Sequence, residues 1–345
     1  MSARRLKACF FYVVTAVFLW KSDVGAQSSS NYDRGLAEFR AGNYASAADF
    51  FAHSEASSPG KTDAQLYRAK SLVHLDDFAG AETALHSYLQ SHQDSADALY
   101  MLGFVLNREN HPADSLATYT RAAAITPPSS DDLKIVGLNY VLLDDYADAI
   151  KWLEKAVEID NKNADAWYYL GRAYYTRSRL SEARSAFTTA LNLDSHNARA
   201  ENGLGLVFES DAQPESAIDA YRKSIAWSEQ SLHASEQPYV NLGSILLAQG
   251  RTEEALPPLE KAVTLAPNDG YCRLKLGTAY LRARRMKEAQ NELEKATQLN
   301  PYDSVAHYQL GKLYQATNAK DRAQSEFDRA AELQTRAARS APSDH

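Results

Sequence analysis

The sequence contains very little cysteine. There are two such residues, Cys9 and Cys272, and Cys9 lies in a segment that we expect to be removed from the mature chain. The single remaining thiol cannot form an internal disulfide, so the fold must be stabilised by packing. No histidine and acid accompany Cys272 in an arrangement that would activate a nucleophile. We therefore predict that Cys272, which lies next to a helix start, is a half-buried structural thiol.

An apolar run long enough to span a membrane is also missing. Residues 8–20 form an apolar run of 13 residues, whereas a spanning helix needs about 20. Three basic residues precede this run, and the small residues Gly25 and Ala26 follow it, before Gln27. This layout is typical of a secretory signal peptide over residues 1–26. We expect an exported mature chain, periplasmic or extracellular; the alternative is a membrane anchor formed by an uncleaved segment.

The charge balance lacks a positive excess. The chain carries a formal net charge of −7, and residues 1–26 hold four basic residues and one acidic residue, so their removal leaves a net charge of about −10. Nucleic-acid binding requires a basic surface, and anionic lipid attracts basic segments. We predict no nucleic-acid partner, and contact with a membrane only if the N-terminal segment is uncleaved.

Motifs that would support catalysis are absent as well. Gly60-Lys61-Thr62 resembles the end of a phosphate-binding loop, but Glu55 occupies the position of the first glycine that such a loop needs. The nine histidines include no close pair with the spacing of metal ligands. The sequence therefore predicts no enzyme activity, no cofactor and no metal site.

What the sequence does contain is a repeat with a period of 34 residues, whose first copy starts at Ser28. The eighth position of successive repeats is occupied, in order, by Gly35, Ala69, Gly103, Gly137, Gly171, Gly205, Gly243, Gly277 and Gly311. A glycine inside a helix costs about 1 kcal/mol relative to alanine. Its return at one position therefore needs a structural reason.

Two further positions of the repeat supply that reason. Position 20 is alanine or serine in every repeat, and position 24 is large and apolar or aromatic: Phe51, Leu85, Tyr119, Leu153, Phe187, Tyr221, Leu259, Leu293 and Phe327. The apolar residues of each half-repeat recur at helical spacing. We interpret each repeat as a helix hairpin in which the glycine and the small residue at position 20 face each other and let the two helices cross closely.

These residues resemble the tetratricopeptide repeat (TPR) family, whose 34-residue pattern combines tryptophan, leucine, glycine and tyrosine in the first helix with alanine, phenylalanine and proline later. Nine repeats cover residues 28–335. The resemblance implies an all-α fold, a superhelical solenoid of antiparallel helix hairpins. We expect this solenoid over residues 27–337, followed by a polar tail over 338–345.

Two details depart from a plain array. The repeat that starts at Ala198 runs for 38 residues, with the extra four within residues 226–235, near Trp227. They would lengthen a helix, bulge a turn or form a local docking feature. In addition, Asp63, Asp97, Asp131 and Asp165 all fall at position 2 of successive repeats. We interpret them as carboxylates that cap the first helix of each repeat, in preference to metal ligands.

The resemblance also implies that the first helix of each hairpin lines a concave groove through positions 5, 9, 12 and 13. Across the array these positions hold seven lysines or arginines against one acid, Glu209. The predicted ligand-binding residues are Tyr100, Phe104, Asn107, Arg108, Lys134, Tyr168, Arg172 and Tyr175. Arginine can pair with carboxylates, so an acidic or aromatic-bearing segment of a partner protein would suit this face, while the class of ligand stays open. The alternative is that these side chains merely solvate an exposed groove.

The sequence thus predicts an exported, non-enzymatic TPR scaffold that binds a protein or peptide in its groove. The carboxylate clamp of chaperone-binding TPR proteins is missing, because Leu36, Phe104 and Leu138 stand at position 9 in alternate early repeats. The alternative function is an accessory subunit of an envelope enzyme or of a polysaccharide or secretion machine.

Overall fold

The computed structural model describes residues 31–57, 63–229 and 235–340. Within these ranges the chain forms eighteen α-helices and no β-strand. The predicted signal segment, Gly60-Lys61-Thr62 and the last five residues lie outside the described residues, so the predictions made for them stay predictions. In the part of the chain that is described, no helix is both long and apolar enough to cross a membrane.

The helices form hairpins in which the second helix is the longer member, except in the third hairpin, where the first helix has 13 residues and the second has 12. In chain order they are α1 31–40, α2 Tyr44–Ser57, α3 Ala64–His74, α4 Phe78–Ser91, α5 Ala96–Arg108, α6 Pro112–Ala123, α7 Ser130–Leu142, α8 Tyr146–Ile159, α9 Ala164–Thr176, α10 Leu180–Leu193, α11 Ala198–Ser210, α12 Pro214–Ser228, α13 Gln237–Ala248, α14 Thr252–Leu265, α15 Gly270–Arg282, α16 Met286–Leu299, α17 Ser304–Ala316 and α18 Lys320–Ser340. Each predicted repeat is one pair of these helices. The predicted class, an all-α array of helix hairpins, is confirmed.

The chain forms two compact parts, the first ending at Ala173 and the second beginning at Tyr174. Consecutive helices pack against each other from α2 to α8 in the first part and from α10 to α18 in the second. The first helices of consecutive repeats also lie side by side, as α5 does with α7 in the first part and α15 with α17 in the second. Equivalent residues of neighbouring repeats are therefore brought next to each other on one face.

The glycine at position 8 packs against the large side chain at position 24. A Cβ atom added to Gly103 would lie 2.6 Å from the ring of Tyr119, and one added to Gly277 would lie 2.7 Å from Leu293. The small residue at position 20 approaches the glycine's backbone instead, since Ser115 Oγ donates to the Gly103 carbonyl at 2.6 Å. The prediction of a close crossing holds, but the side chain that requires glycine is the one at position 24.

Every hairpin turns through a residue with positive φ at position 15, a feature that the sequence analysis did not identify. The nine residues are Gly42, Asp76, Asn110, Asp144, Ser178, Ala212, Gly250, Arg284 and Asn318. A left-handed conformation is easy for glycine and tolerated by asparagine and aspartate. Since the array requires the turn at each repeat, serine, alanine and arginine adopt it as well.

The first helices are capped by the residue just before each repeat begins. The side chains of Ser95, Ser129, Asn163, Asn197, Asp269 and Asp303 each accept a hydrogen bond from a first-turn amide. The predicted capping role is wrong for Asp63, whose side chain makes no cap bond and accepts from Tyr88 Oη at 2.9 Å. Asp97 and Asp131 lie in the first turns of α5 and α7, where a negative charge favours the helix, but they also bind lysines.

Two helices differ in length from their equivalents. Helix α12 has 15 residues where α10 has 14, so one residue of the four-residue insertion lengthens this helix; residues 230–234 lie outside the description. Helix α18 has 21 residues and reaches Ser340. The predicted tail from residue 338 therefore starts as helix.

Candidate functional site

Five of the eight predicted ligand-binding residues lie on α5 and α7, the neighbouring first helices of repeats 3 and 4. Four are on α5, and Lys134 is on α7. Tyr168 and Arg172 lie on α9, where the Arg172 guanidinium is 5.9 Å from the centroid of the Tyr168 ring. Tyr175 belongs to the second compact part, where Ser210 Oγ donates to its hydroxyl at 3.3 Å.

Asn107 forms part of a hydrogen-bond chain that joins three helices. Its Nδ2 donates to Asn139 Oδ1 at 2.8 Å, and Asn139 Nδ2 donates to Ser115 Oγ at 2.7 Å. Ser115 Oγ in turn donates to the Gly103 carbonyl. Asn139 and Ser115 are fully buried, so each bond satisfies a group that would otherwise be costly to bury. The amide of Asn107 therefore already serves to fix α7 against α5 and α6.

Lys134 is paired within its own helix. Its Nζ lies 2.6 Å from Asp131 Oδ1, and its side chain is only 15% exposed. The hydrogen bond from Lys134 lowers the pKa of Asp131; burial opposes this shift, and a further hydrogen bond from Asn163 adds to it. Lys70 of α3 is paired with a carboxylate of the next repeat, Asp97 of α5, at 2.8 Å. The carboxylates at position 2 thus neutralise lysines that positions 5 and 9 contribute to this face.

Two of the predicted aromatic residues, Tyr100 and Tyr168, make contacts within the protein that leave little of their rings exposed. The Tyr100 hydroxyl donates to the Thr126 carbonyl at 2.6 Å, and burial is the main cause that raises the pKa of Tyr100. Tyr168 is buried, with the ring of Tyr169 at a centroid distance of 5.0 Å. These rings contribute little exposed surface for a ligand.

Phe104 and Arg108 form a partly accessible part of the predicted site, with Phe104 half-buried and Arg108 exposed. The guanidinium of Arg108 lies 4.9 Å from the centroid of the Phe78 ring, and Phe78 meets Phe104 edge to face at 6.3 Å. Arg108 is exposed, and within the described residues no carboxylate pairs with it. Leu142 stands at the equivalent position of α7 and is exposed. We call Phe78, Phe104, Arg108 and Leu142 the Phe104–Arg108 surface.

Phe78 and Leu142 were not among the predicted ligand-binding residues. Phe78 begins the second helix of repeat 2, outside the positions that the groove argument considered, although an aromatic residue at a helix start was a visible signal. Leu142 stands at a position that was considered, but only its polar equivalents were selected. The geometry adds these two apolar side chains to the site and provides an arginine beside them, an arrangement suited to an apolar side chain next to a carboxylate.

No cluster of three or more histidine, cysteine, aspartate or glutamate side chains among the described residues could hold a metal ion. Cys272 is fully buried, and burial is the main cause that raises its pKa to about 12. Its thiol is therefore protonated at neutral pH, and it packs as an apolar group beside Tyr239 and Val240.

Family models match more than half of the chain. Residues 38–103 and 246–297 match a model described as tetratricopeptide repeat; residues 164–197 and 305–336 match two others of that description, and residues 137–178 match one described as TPR repeat. No curated protein sequence matches the chain.

Solved structures with the same arrangement of helices align with most of this chain. A tetratricopeptide repeat protein from Parabacteroides merdae aligns with 72% of this chain and 96% of its own, with a TM-score of 0.57 and 17% identity. The Cut9–Hcn1 hetero-tetramer of the APC/C aligns with 89% of this chain and 67% of its own, with a TM-score of 0.53 and 20% identity. At these identities the likeness shows the fold alone.

Proposed function

Because this chain belongs to the tetratricopeptide repeat family, we propose that it is an exported, non-enzymatic scaffold that binds a segment of a partner protein. The proposed site lies on the first helices of repeats 3 and 4, centred on the Phe104–Arg108 surface. Repeat arrays of this kind present long faces of side-by-side helices and serve as protein-interaction scaffolds. The proposal of export rests on the signal-peptide layout of residues 1–26.

The observation that carries the proposal is the state of Arg108. Its charge is exposed and lies on an aromatic ring, and no carboxylate of the described residues neutralises it. A partner carboxylate would gain a charge-assisted bond there, while an apolar partner side chain would cover Phe104 and Leu142. The preferred segment therefore combines an acidic residue with an apolar one.

Site-specific cross-linking tests this proposal and identifies the partner. A photo-reactive phenylalanine analogue replaces Phe104 in one variant and Ile159 in a control; Ile159 is an exposed residue at the end of α8. In the native envelope fraction, the analogue at position 104 should form a protein adduct that the control does not form.

The proposal of export is tested by the intact mass of the chain from the same fraction. This mass should correspond to a chain that starts at Gln27, whereas a chain that retains Met1 would indicate a membrane anchor.

The affinity of the identified partner then tests Arg108. Arg108→Glu should weaken binding by about tenfold or more and slow association most at low salt. Arg121→Glu is a matched control, because Arg108 and Arg121 are both exposed and both lie in the last turn of a helix. Equal effects of the two substitutions would reduce the site to a general charge effect and contradict the proposal.

A further inference from the structure

An exposed aromatic and apolar cluster lies in the last two repeats, in the second compact part. The fractional exposures are 69% for Tyr302, 52% for Val305, 50% for Tyr271 and 47% for Tyr308. We call these four residues the tyrosine patch. Exposed apolar clusters are uncommon on soluble proteins and mark interaction sites when they are contiguous.

The fold makes the tyrosine patch contiguous. Tyr271 and Val305 stand at position 2 of consecutive repeats, in the first turns of α15 and α17, and these helices lie side by side. Tyr308 follows Val305 by three residues, so both are on one helix face. Tyr302 lies in the turn just before α17.

The patch is held in place before any partner arrives. The Tyr308 ring packs on Phe327 of α18 at a centroid distance of 5.7 Å. His307 Nε2 lies 3.2 Å from the Pro301 carbonyl, next to Tyr302, and its Nδ1 lies 2.6 Å from a carboxylate oxygen of Glu326. A surface that is already ordered loses less entropy on binding.

The charges around the tyrosine patch favour an acidic partner. Lys275 Nζ lies 5.0 Å from the ring centroid of Tyr271, and Lys312 Nζ lies 5.8 Å from that of Tyr308. Neither lysine forms an ion pair with a carboxylate of the described residues. The two carboxylates at the edge are already engaged: those of Asp269 and Asp303 each accept two first-turn amides. The amides hold these carboxylates in place at the helix starts, so the two lysines are the charged groups of the patch that remain available to a partner.

We propose that the tyrosine patch is a docking surface for an acidic segment of another protein that carries an aromatic or aliphatic side chain. The apolar side chain would cover Tyr271, Val305 and Tyr308, and flanking carboxylates would bind Lys275 and Lys312. This surface lies in a different compact part from the Phe104–Arg108 surface, so either can fail without the other.

Defined peptides test the proposal with the full mature chain. The probes are fluorescent peptides of about twelve residues with one central phenylalanine and glutamate flanks, and matched peptides with lysine flanks or a central alanine. Fluorescence anisotropy should show binding of the glutamate–phenylalanine peptide and weaker binding of both matched peptides. Val305→Asp should weaken that binding by about tenfold or more, and Lys275→Glu with Lys312→Glu should weaken it most at low salt.

One control variant and one further measurement keep the test decisive. The binding measurements are made in the Arg108→Glu background, which removes binding at the other surface, and Lys261→Glu, which changes an exposed lysine on α14, should not alter binding of this peptide. A peptide that binds equally well to Val305→Asp, or with no preference for glutamate flanks, overturns the proposal. Sedimentation that shows concentration-dependent self-association abolished by Val305→Asp would assign the patch to a second copy of this chain and would overturn it as well.

Discussion

The two exposed surfaces of this chain differ mainly at position 2 of the repeat. In repeats 2 to 5 this position is aspartate, and Asp97 and Asp131 bind lysines of the same face. In the last two repeats this position holds Tyr271 and Val305. Lys275 and Lys312 lie over tyrosine rings there, and neither forms an ion pair with a carboxylate of the described residues. The number of basic residues on a face therefore does not measure the positive charge that is available to a partner. That charge depends on whether a neighbouring position, such as position 2, holds a carboxylate.

The largest effect on stability should come from overpacking one hairpin in each part, a change that destabilises the two surfaces one at a time. Gly103→Leu would force a side chain against Tyr119, and Gly277→Leu would do so against Leu293. Each should lower the free energy of unfolding by about 3 kcal/mol. Because each hairpin contacts mainly its neighbours, hydrogen exchange should rise in α5 and α6 for the first variant and in α15 and α16 for the second.

A control for overpacking is available in α15 itself. A Cβ added to Gly270 would lie no closer than 3.4 Å to its neighbours, so Gly270→Ala should leave exchange and stability nearly unchanged. Loss of protection throughout both parts in either leucine variant would show that the chain unfolds as one unit and that the surfaces cannot be tested separately by this route.

The second effect should come from Asp131→Asn, which gives the first surface the electrostatic character of the second. Lys134 would lose its ion pair, so acidic peptides should bind the first part more tightly. The direct cost in stability should stay below about 1 kcal/mol because the carboxylate is largely exposed. Since the pKa of Asp131 is lowered by folding, its stabilisation is present above the unfolded pKa of about 4 and is lost as the pH falls through the lower folded value.

Denaturant unfolding at several pH values measures this contribution. The difference in the free energy of unfolding between the native chain and Asp131→Asn should be largest near neutral pH and vanish in acid. Asp148→Asn is a suitable control, because Asp148 pairs with Lys151 in its own helix at the longer distance of 3.6 Å. A difference that persists in strong acid would show that the pair contributes by packing instead of charge.

The fold was predictable from the sequence, whereas the state of the site was not. Glycine at position 8 and a large side chain at position 24 recur because every hairpin repeats the same contact, as in Gly103 with Tyr119. The pairing of Lys70 with Asp97 joins positions in different repeats, so a count along one set of positions could not detect it. The helix caps were also predictable, because serine is a preferred residue just before a helix, and Ser129 accepts a hydrogen bond from the Asp132 amide at the start of α7.

The hairpin turns offer the smallest effect and the last contrast between the parts. The first part places Gly42, Asp76, Asn110 and Asp144 at the left-handed turn position, whereas the second includes Ala212 and Arg284. An alanine in the left-handed conformation costs about 1–2 kcal/mol of stability. Replacing it with glycine removes this strain, but glycine loses more conformational entropy on folding, which costs about 0.5–1 kcal/mol.

Ala212→Gly should therefore raise the free energy of unfolding by about 0.5 kcal/mol, while Asn110→Gly should change it by less, because asparagine tolerates this conformation. Urea denaturation with a common slope compares the two variants. If Ala212→Gly destabilises the chain while Asn110→Gly does not, the alanine side chain contributes contacts that outweigh its strained backbone, and the turn position would be under a packing constraint instead of a conformational one.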